Sequence, residues 1–232
     1  MTRPFVLIFE DDVSDVVREQ ISRGVHRFLE LANLGSLSDV YYDYELWRFL
    51  CGHRRLPTCQ DITAEGTGMH LDVRSEGETP AATAYRVIYA ERIIKTLEKR
   101  FSTAIIPIFV TTLPLFHEYF SRFIWGAARE GVGAVITTDG FAVRTPARRR
   151  HYMETLVLHE LGHVFGLVPQ NRTYAVEERF GRHCTNRCVM HADWFDGKCY
   201  MHAYQQPFCL DCHLFLNAWA ARHYRMTQVA NT

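Results

Sequence analysis

The stretch HELGHVFG at positions 159–166 constrains the fold of this 232-residue chain more than any other feature. Residues four apart lie one above the other on a helix, so His159 and His163 project from one face and can bind one metal ion together. The opposite face carries the apolar residues Met153, Val157, Leu161 and Val164. Gly166 tolerates the left-handed backbone that ends a helix, so we expect the chain to turn back directly after the two histidines. The motif therefore predicts a helix that packs on a sheet with one face and binds metal with the other.

The chain before this motif alternates between apolar runs and amphipathic helical patterns. We predict strands at FVLIF, MHLDV and AIIPIFV, and helices over positions 13–31 and 85–101. The first helix is expected to end near Gly35 and to turn inward the residues Val16, Val17, Ile21, Val25, Phe28 and Leu29. Such alternation indicates an α/β fold in which helices pack on a twisted mixed sheet.

Three segments between these elements carry signals of their own. Positions 39–50 fit a strand or a helix equally well, and CGHRRLPTCQDITAEGTG is expected to be a loop. In RFIWGAAREGVGAVITTDG, Glu130 and Gly131 separate two extended runs and predict a hairpin. Its FIWGAA part is a candidate edge strand that could hold an extended peptide. Thr145 and Pro146 predict the start of the motif helix.

Charge and hydrophobicity exclude two classes of partner. The chain has 26 acidic and 26 basic residues, so the broad positive surface of a nucleic-acid binder is not expected. No apolar run reaches the length of a membrane span, and FVLIF at the N-terminus is too short for a signal sequence. We therefore expect a cytoplasmic protein, where thiols stay reduced and clustered cysteines bind metal instead of forming disulfides.

Glu160 gives the histidine helix a chemical role beyond metal binding. It lies about 100° around the helix from His159, beside the two ligands, where it can take a proton from a metal-bound water. Zinc suits imidazole ligands, and an open coordination position lets it acidify a water and polarise a peptide carbonyl. The motif therefore predicts hydrolysis of an amide bond.

The third ligand must come from farther along the chain. Position 169, three residues after Gly166, is Pro169, and the nearest downstream histidine is His183. Widening the loop after His163 from 6 to 20 residues costs about 1 kcal/mol of closure entropy, whereas a structural zinc contributes on the order of 10 kcal/mol. His183 is therefore an acceptable ligand. Glu177 and Glu178 remain rivals, because zinc also accepts carboxylates.

The cysteines indicate a second metal site. Cys184 and Cys188 form a C-x3-C pair, and after twenty residues Cys209 and Cys212 form a C-x2-C pair. Two tight pairs can place four thiolates around one zinc ion in a closed tetrahedral site. Cys199 is the substitute if one of the four is not a ligand. The two remaining thiols, Cys51 and Cys59, are expected to be loop residues.

Together these motifs resemble the archaemetzincins, a family within the metzincin clan of zinc metallopeptidases. The likeness covers positions 104–213: HExxHxxG, the pair His183 and Cys184, Cys188 followed by x-Met, and the distal CxxC, with VTTLPLF, FIWGAA and GAVITTDG before them. This sequence departs from the family pattern by the insertion 167–182 and by a spacing of three between the first two cysteines. We expect the insertion to form a flap or short helix at the rim of the cleft.

The resemblance implies two zinc ions and a role for each motif residue. The catalytic zinc would be bound by His159, His163 and His183, with Glu160 as general base and Met190 in a turn beneath the metal. The structural zinc would be bound by Cys184, Cys188, Cys209 and Cys212. Tyr200 and Tyr204 are candidates for stabilising the oxyanion.

We therefore expect a monomeric zinc metallopeptidase that acts on a peptide or protein substrate and binds neither nucleic acid nor membrane. It would form one catalytic domain over 1–232, with an N-terminal part to about 166 and a zinc-stapled C-terminal part from about 167. That part would end in a helix through Leu214, Phe215 and Trp219. Two alternatives remain open: a non-catalytic, zinc-stabilised interaction module, and a peptidase with Glu177 or Glu178 as its third ligand.

Overall fold

A computed structural model describes residues 4–34, 40–50, 56–74, 81–101, 105–140, 145–178, 181–192 and 206–224. The strands are β1 (Phe5–Phe9), β2 (Val40–Tyr41), β3 (Thr67–Arg74), β4 (Ala81–Tyr89), β5 (Ile106–Thr111), β6 (Leu115–His117), β7 (Arg122–Ile124), β8 (Gly126–Arg129), β9 (Gly133–Thr137), β10 (Val176–Glu177) and β11 (His183–Cys184). The helices are α1 (Asp15–Leu31), α2 (Tyr44–Leu50), α3 (Cys59–Gly66), α4 (Ala90–Phe101), α5 (Pro146–Val164) and α6 (Leu210–Tyr224).

The central sheet has the strand order β2-β1-β5-β9-β8. The first four strands run parallel, and β8 pairs antiparallel with β9 at one edge. The turn between β8 and β9 contains Gly131 at φ 70, so the predicted hairpin is confirmed. A second sheet has the order β3-β4-β6-β7, and β10 pairs with β11 in a small hairpin. The predicted α/β fold with a mixed sheet is therefore confirmed.

Both faces of the central sheet are covered, which follows from the alternation of side chains along a strand. On β1, Phe5, Leu7 and Phe9 lie in a core shared with α1, α5 and α6. Val6 and Ile8 point the other way, into a core shared with α2, α3 and α4. Full burial of each such side chain contributes roughly 1.5–3 kcal/mol. The apolar strand FVLIF therefore stabilises the cores on both faces of the sheet.

The motif helix α5 begins at Pro146, as predicted, and packs on the sheet beside α1. All four apolar residues that the sequence placed on its packing face are buried: Met153, Val157, Leu161 and Val164. At Gly24 on α1 a Cβ would lie 2.8 Å from the Cβ of Val157, so the two helices approach closely at a residue without a side chain. The two helices therefore pack directly against each other at this point, on the face of α5 that carries its apolar residues.

The end of α5 is the sharp stop that Gly166 predicts. Gly166 has φ 60, its N–H donates to the carbonyl of His163 at 3.0 Å, and Leu167 N–H donates to the carbonyl of Gly162 at 3.0 Å. These two bonds form a Schellman cap, which satisfies carbonyls that the helix end leaves unpaired. The chain therefore leaves the helix directly after the second histidine.

Two of the secondary-structure predictions were wrong. The segment expected to be a loop contains the helix α3, which starts with a capping box: Asp61 N–H donates to Oγ1 of Thr58 at 3.1 Å, and Thr58 N–H donates to the Asp61 carboxylate at 2.8 Å. The predicted helix 85–101 begins only at Ala90, because residues 81–89 form β4 and pair along their length with β3. Pairing with a neighbouring strand outweighed the helical spacing.

Other expectations were confirmed in part. Residues 40–50 contain a short strand followed by a helix, so the strand and the helix that the sequence allowed here are both present. The first helix ends at Leu31, with Asn33 at φ 56, and Gly35 lies outside the described residues. Val16 is 59% exposed and does not face the core.

The C-terminal helix α6 includes the three residues that predicted it. The ring centroids of Trp219 and Phe165 are 4.1 Å apart, so this helix packs on the end of α5. Leu214, in contrast, is exposed. Within the described ranges, none of the helices is long and apolar enough to cross a membrane.

The capping box of α3 gives a test of the fold. Thr58→Ala removes the side-chain acceptor and is expected to lower the free energy of unfolding by about 1 kcal/mol. Thr58→Ser keeps the hydroxyl and serves as the matched control, with a smaller loss. Urea denaturation with an unchanged slope measures both values, and equal stability of Thr58→Ala and the native protein would contradict the assignment.

Candidate functional site

Three histidines from two distant parts of the chain meet at one point. His159 and His163 come from α5 and His183 from β11, and their candidate ligand nitrogens all lie within 4.8 Å of one another. The ring centroids are 4.7 Å apart for His159 and His163, 5.2 Å for His159 and His183, and 4.9 Å for His163 and His183. The structure thus brings together the ligand set that the sequence analysis favoured.

Backbone carbonyls orient two of these rings. Nδ1 of His159 lies 2.7 Å from the carbonyl of Val189, and Nδ1 of His183 lies 3.1 Å from the carbonyl of Gly181. A carbonyl can only accept, so each Nδ1 carries the proton and leaves Nε2 with its lone pair. Nε2 of His159 is 3.2 Å from Nε2 of His163, so these two ring nitrogens are close enough to bind one metal ion together.

The electrostatics of the cluster fit a cation. Burial, followed by repulsion from His183, lowers the pKa of His159 to about 3. Burial also lowers the pKa of His163 well below its usual value. Both rings are therefore neutral near pH 7, and the neutral imidazole is the form that binds a metal.

Glu160 follows His159 directly on α5, and its side chain is buried against the edge strand β8. A Cβ placed on Gly126 of β8 would overlap the Glu160 carboxylate, so the glycine provides the space that the carboxylate occupies. Burial raises the pKa of Glu160 to about 8. The carboxylate thus combines a fixed position with a high proton affinity.

The two rival glutamates are not part of the cluster. Glu177 pairs with His183 across the β10–β11 hairpin, but among the described residues the group of ligand atoms at this point contains only histidine nitrogens. Glu178 is exposed and forms an ion pair with Arg182. The geometry therefore favours His183 as the third ligand.

Four thiols form a second cluster, with sulfur atoms within 4.8 Å of one another: Cys184, Cys188, Cys209 and Cys212. The closest distances are 3.7 Å between Cys184 and Cys209 and 3.8 Å between Cys188 and Cys212. The hydrogen bond to Cys184 lowers the pKa of Cys209 and raises the pKa of Cys188 and of Cys212. Without a cation the thiols cannot all ionise together, whereas a divalent metal would stabilise four thiolates.

Cys59, the other cysteine among the described residues, plays no part in this cluster. Cys59 lies in α3, where its thiol donates to the carbonyl of Phe9 at 3.2 Å, and burial raises its pKa to about 12. It is therefore an inert helix residue and not the loop thiol that was expected. Cys51, Cys199, Tyr200 and Tyr204 lie outside the described residues.

Met190 is buried directly against the metal-site helix. Its sulfur lies where a Cβ on Gly162 would be, and its carbonyl accepts a hydrogen bond from Cys184 N–H at 2.8 Å. A methionine adapts well to such an irregular space. It therefore packs against α5 at Gly162, which lies between the two histidines in sequence, and its role in a turn beneath a metal stays a prediction.

The insertion 167–182 is not helical in the part that the structure describes. It runs through turns into β10, whose Val176 and Glu177 pair with β11. Arg172 is completely buried in it and contacts two of the clustered sulfurs. The expectation of a short helix is therefore wrong for the described residues of the insertion, whereas the alternative of a flap stays a prediction.

The prediction that FIWGAA forms one edge strand is only partly correct. Gly126, Ala127 and Ala128 belong to β8 at the edge of the central sheet, whereas Phe123 and Ile124 belong to β7 in the second sheet. The contact of Gly126 with Glu160 was missed, although a glycine within a strand commonly marks a close approach. The sequence holds no comparable signal for Arg172 or for the Val189 carbonyl.

Comparison with solved structures finds an archaemetzincin from Methanopyrus kandleri, with a TM-score of 0.55 and 18% sequence identity over 94% of this chain and 94% of that chain. An archaemetzincin from Archaeoglobus fulgidus complexed with malonate aligns at a TM-score of 0.49 and 16% identity, over 91% of this chain and 99% of that one. The latter score is too low to add to the argument. No family model matches the chain, and no curated protein matches it in sequence. The first likeness shows the fold, as the sequence motifs predicted.

The geometry predicts which residue completes the histidine site. His183→Ala is expected to release one equivalent of zinc, because the remaining two ligands cannot close the site. Glu177→Gln is the matched control on the paired strand and should keep its zinc. Elemental analysis after gel filtration measures both, and full zinc content in His183→Ala would instead favour a glutamate ligand.

Proposed function

We propose that this protein, whose chain has the archaemetzincin fold, is a zinc-dependent metallopeptidase that hydrolyses peptide bonds. The observation that carries the proposal is the convergence of three histidines beside a buried carboxylate, Glu160, at the edge of a sheet. A structural role alone would not require a glycine opposite that carboxylate or neutral rings with their lone pairs turned to one point.

The proposal assigns a metal to each cluster. His159, His163 and His183 would hold the catalytic zinc, and the four clustered cysteines would hold the structural zinc. A zinc ion bound by three protein ligands lowers the pKa of a coordinated water and polarises a carbonyl oxygen. The thiols are free of disulfides in the described residues, which supports a reducing location such as the cytoplasm.

Glu160 would carry the proton transfers. Burial raises its pKa to about 8, and a cation bound at the histidines would lower that pKa and keep the group ionised near pH 7, as a base must be. It would accept the proton of the attacking water at one carboxylate oxygen and then return it to the nitrogen of the leaving amine. Its fixed position against Gly126 supports this role, since proton transfer requires a donor and an acceptor held at contact distance.

The peptide would bind along β8. This strand pairs with β9 on one side, and no other strand of the described chain pairs with its second side. An extended peptide can add to such an edge through main-chain hydrogen bonds, which would place a scissile bond near Glu160 and the histidines. The whole reaction would take place in one catalytic domain over 1–232, with the part from about 167 stapled by the structural zinc.

Replacing the base separates a peptidase from a non-catalytic zinc module. Glu160→Gln keeps the shape of the side chain but cannot accept a proton, so cleavage of a peptide library is expected to fall by at least about 100-fold. Zinc content, measured on the same sample, should stay at two equivalents. A native protein that binds zinc at the cysteines only, or a variant that still cleaves at the native rate, would rule out the catalytic reading.

The space at Gly126 provides a second test. Gly126→Ala places a methyl group where the Glu160 carboxylate lies and is expected to lower turnover by about 100-fold with zinc content unchanged, because a displacement of about 1 Å has that effect on catalysis. The control is Gly24→Ala, which crowds Val157 on the packing face of the same helix. It should reduce thermal stability and leave turnover per folded molecule intact. Equal turnover in Gly126→Ala and native protein would contradict the placement of the base.

A further inference from the structure

Arg172 takes no part in the reaction proposed above, yet its side chain is completely buried between α6 and β11. It is the largest of the fully buried side chains among the described residues. A guanidinium keeps its charge at any pH at which the fold exists, so burying it is costly unless negative charge and hydrogen-bond acceptors surround it. The surroundings of Arg172 must therefore supply that charge.

The nearest groups that can carry a negative charge are two of the clustered sulfurs. Nη1 donates to Sγ of Cys212 at 3.2 Å, and Nη2 donates to Sγ of Cys184 at 3.3 Å. The carboxylate of Asp211 lies 3.7 Å from Nη2, is partly exposed, and also accepts a hydrogen bond from the amide of Asn186 at 2.9 Å. Thiolates at Cys184 and Cys212 would thus compensate the buried cation more closely than the carboxylate does.

The remaining N–H groups of Arg172 bind its own segment. Nε donates to the carbonyl of Tyr174 at 3.1 Å, Nη1 to that of Leu167 at 3.3 Å, and Nη2 to that of Ala175 at 3.4 Å. Leu167 completes the cap of α5, and Ala175 directly precedes β10. The guanidinium therefore joins the two ends of the stretch between the helix and the hairpin.

The same stretch supports the third histidine. Arg182 donates to the carbonyl of Arg172 at 2.6 Å, and Thr185 N–H donates to the carbonyl of Ala175 at 3.0 Å. On the hairpin that follows, Glu177 pairs with His183. A displacement of Arg172 would consequently disturb the backbone on which His183 is mounted.

We propose that Arg172 is a positioning residue that acts through the four-cysteine zinc site. It neutralises part of the charge of the thiolates and, with the same guanidinium, holds the segment 167–182 and the hairpin that carries His183. The inference rests on the zinc binding proposed above. A divalent ion with four thiolates keeps two net negative charges, which a buried cation at two of the sulfurs offsets. Lysine cannot replace this arrangement fully, because a single ammonium lacks the planar fork that spans both sulfurs.

Cobalt(II) provides a direct readout, because absorption from thiolate-to-cobalt charge transfer arises at the cysteine site and not at the histidine site. Native protein, Arg172→Met, Arg172→Lys and the control Arg100→Met are titrated with cobalt and then with zinc in competition. Arg100 is exposed and pairs with Glu65 at 3.3 Å, so its variant should match the native protein.

Arg172→Met is expected to bind metal at the thiolates about 10- to 100-fold more weakly, the usual effect of losing a hydrogen-bond partner of a ligand. Its charge-transfer band should move to longer wavelength, because sulfurs without a donor give up electrons more easily. Arg172→Lys should keep part of the affinity and still show the band shift. General loss of packing would lower the stability without shifting the band.

The outcomes separate this inference from the proposed function. Native affinity and native band position in both Arg172 variants would overturn the role of Arg172 and leave the peptidase proposal standing. Should Arg172→Met fail to fold, Arg172→Lys decides by the same two criteria. Native protein without thiolate-to-cobalt absorption would overturn both the structural zinc and the inference. Native protein with that absorption but without peptide cleavage would overturn only the peptidase proposal.

Discussion

The structure depends on one constraint: His163 at the end of a helix and His183, twenty positions later, must meet His159 at a single buried point. The helix must therefore stop at once, and the Schellman cap at Gly166 accomplishes this. The intervening chain must then return to the same place. Both requirements concern backbone geometry, and the sheet below α5 supplies the rigid support against which they are met.

The return path is held from the side of the cysteine cluster. Cys184 follows His183 directly, and the short stretch from Cys188 leads to Val189, whose carbonyl orients His159, and to Met190, which packs against Gly162. Residues that touch the thiol cluster and residues that touch the histidine cluster thus alternate along one strand and turn. A metal at the cysteines would therefore stabilise the histidine site through the backbone as well as through the fold as a whole.

Two ionisable side chains are buried at these sites, and each has a defined environment. Glu160 occupies the space left by Gly126 on the edge strand, and Arg172 contacts the sulfurs of Cys184 and Cys212. Unpaired charges in such positions would cost several kcal/mol. The burial of these two groups supports the catalytic and metal-binding roles proposed for the region.

The sequence by itself determined much of this protein, because the signals involved are local. Helix and strand periodicity predicted the common face of His159 and His163 and the apolar strands. Backbone preferences predicted the start of α5 at a proline and its end at a glycine. The two cysteine pairs were recognised by their spacing. The sequence pattern did not predict features that depend on contacts between distant segments. Residues 81–89 form β4 because β3 pairs with them. The contact of Gly126 with Glu160 likewise joins segments far apart in the chain. Only the tertiary structure could bring His183 to the other two histidines, place the Val189 carbonyl at His159 and bury Arg172 at the sulfurs. These are distances between residues remote in sequence, which no local preference encodes.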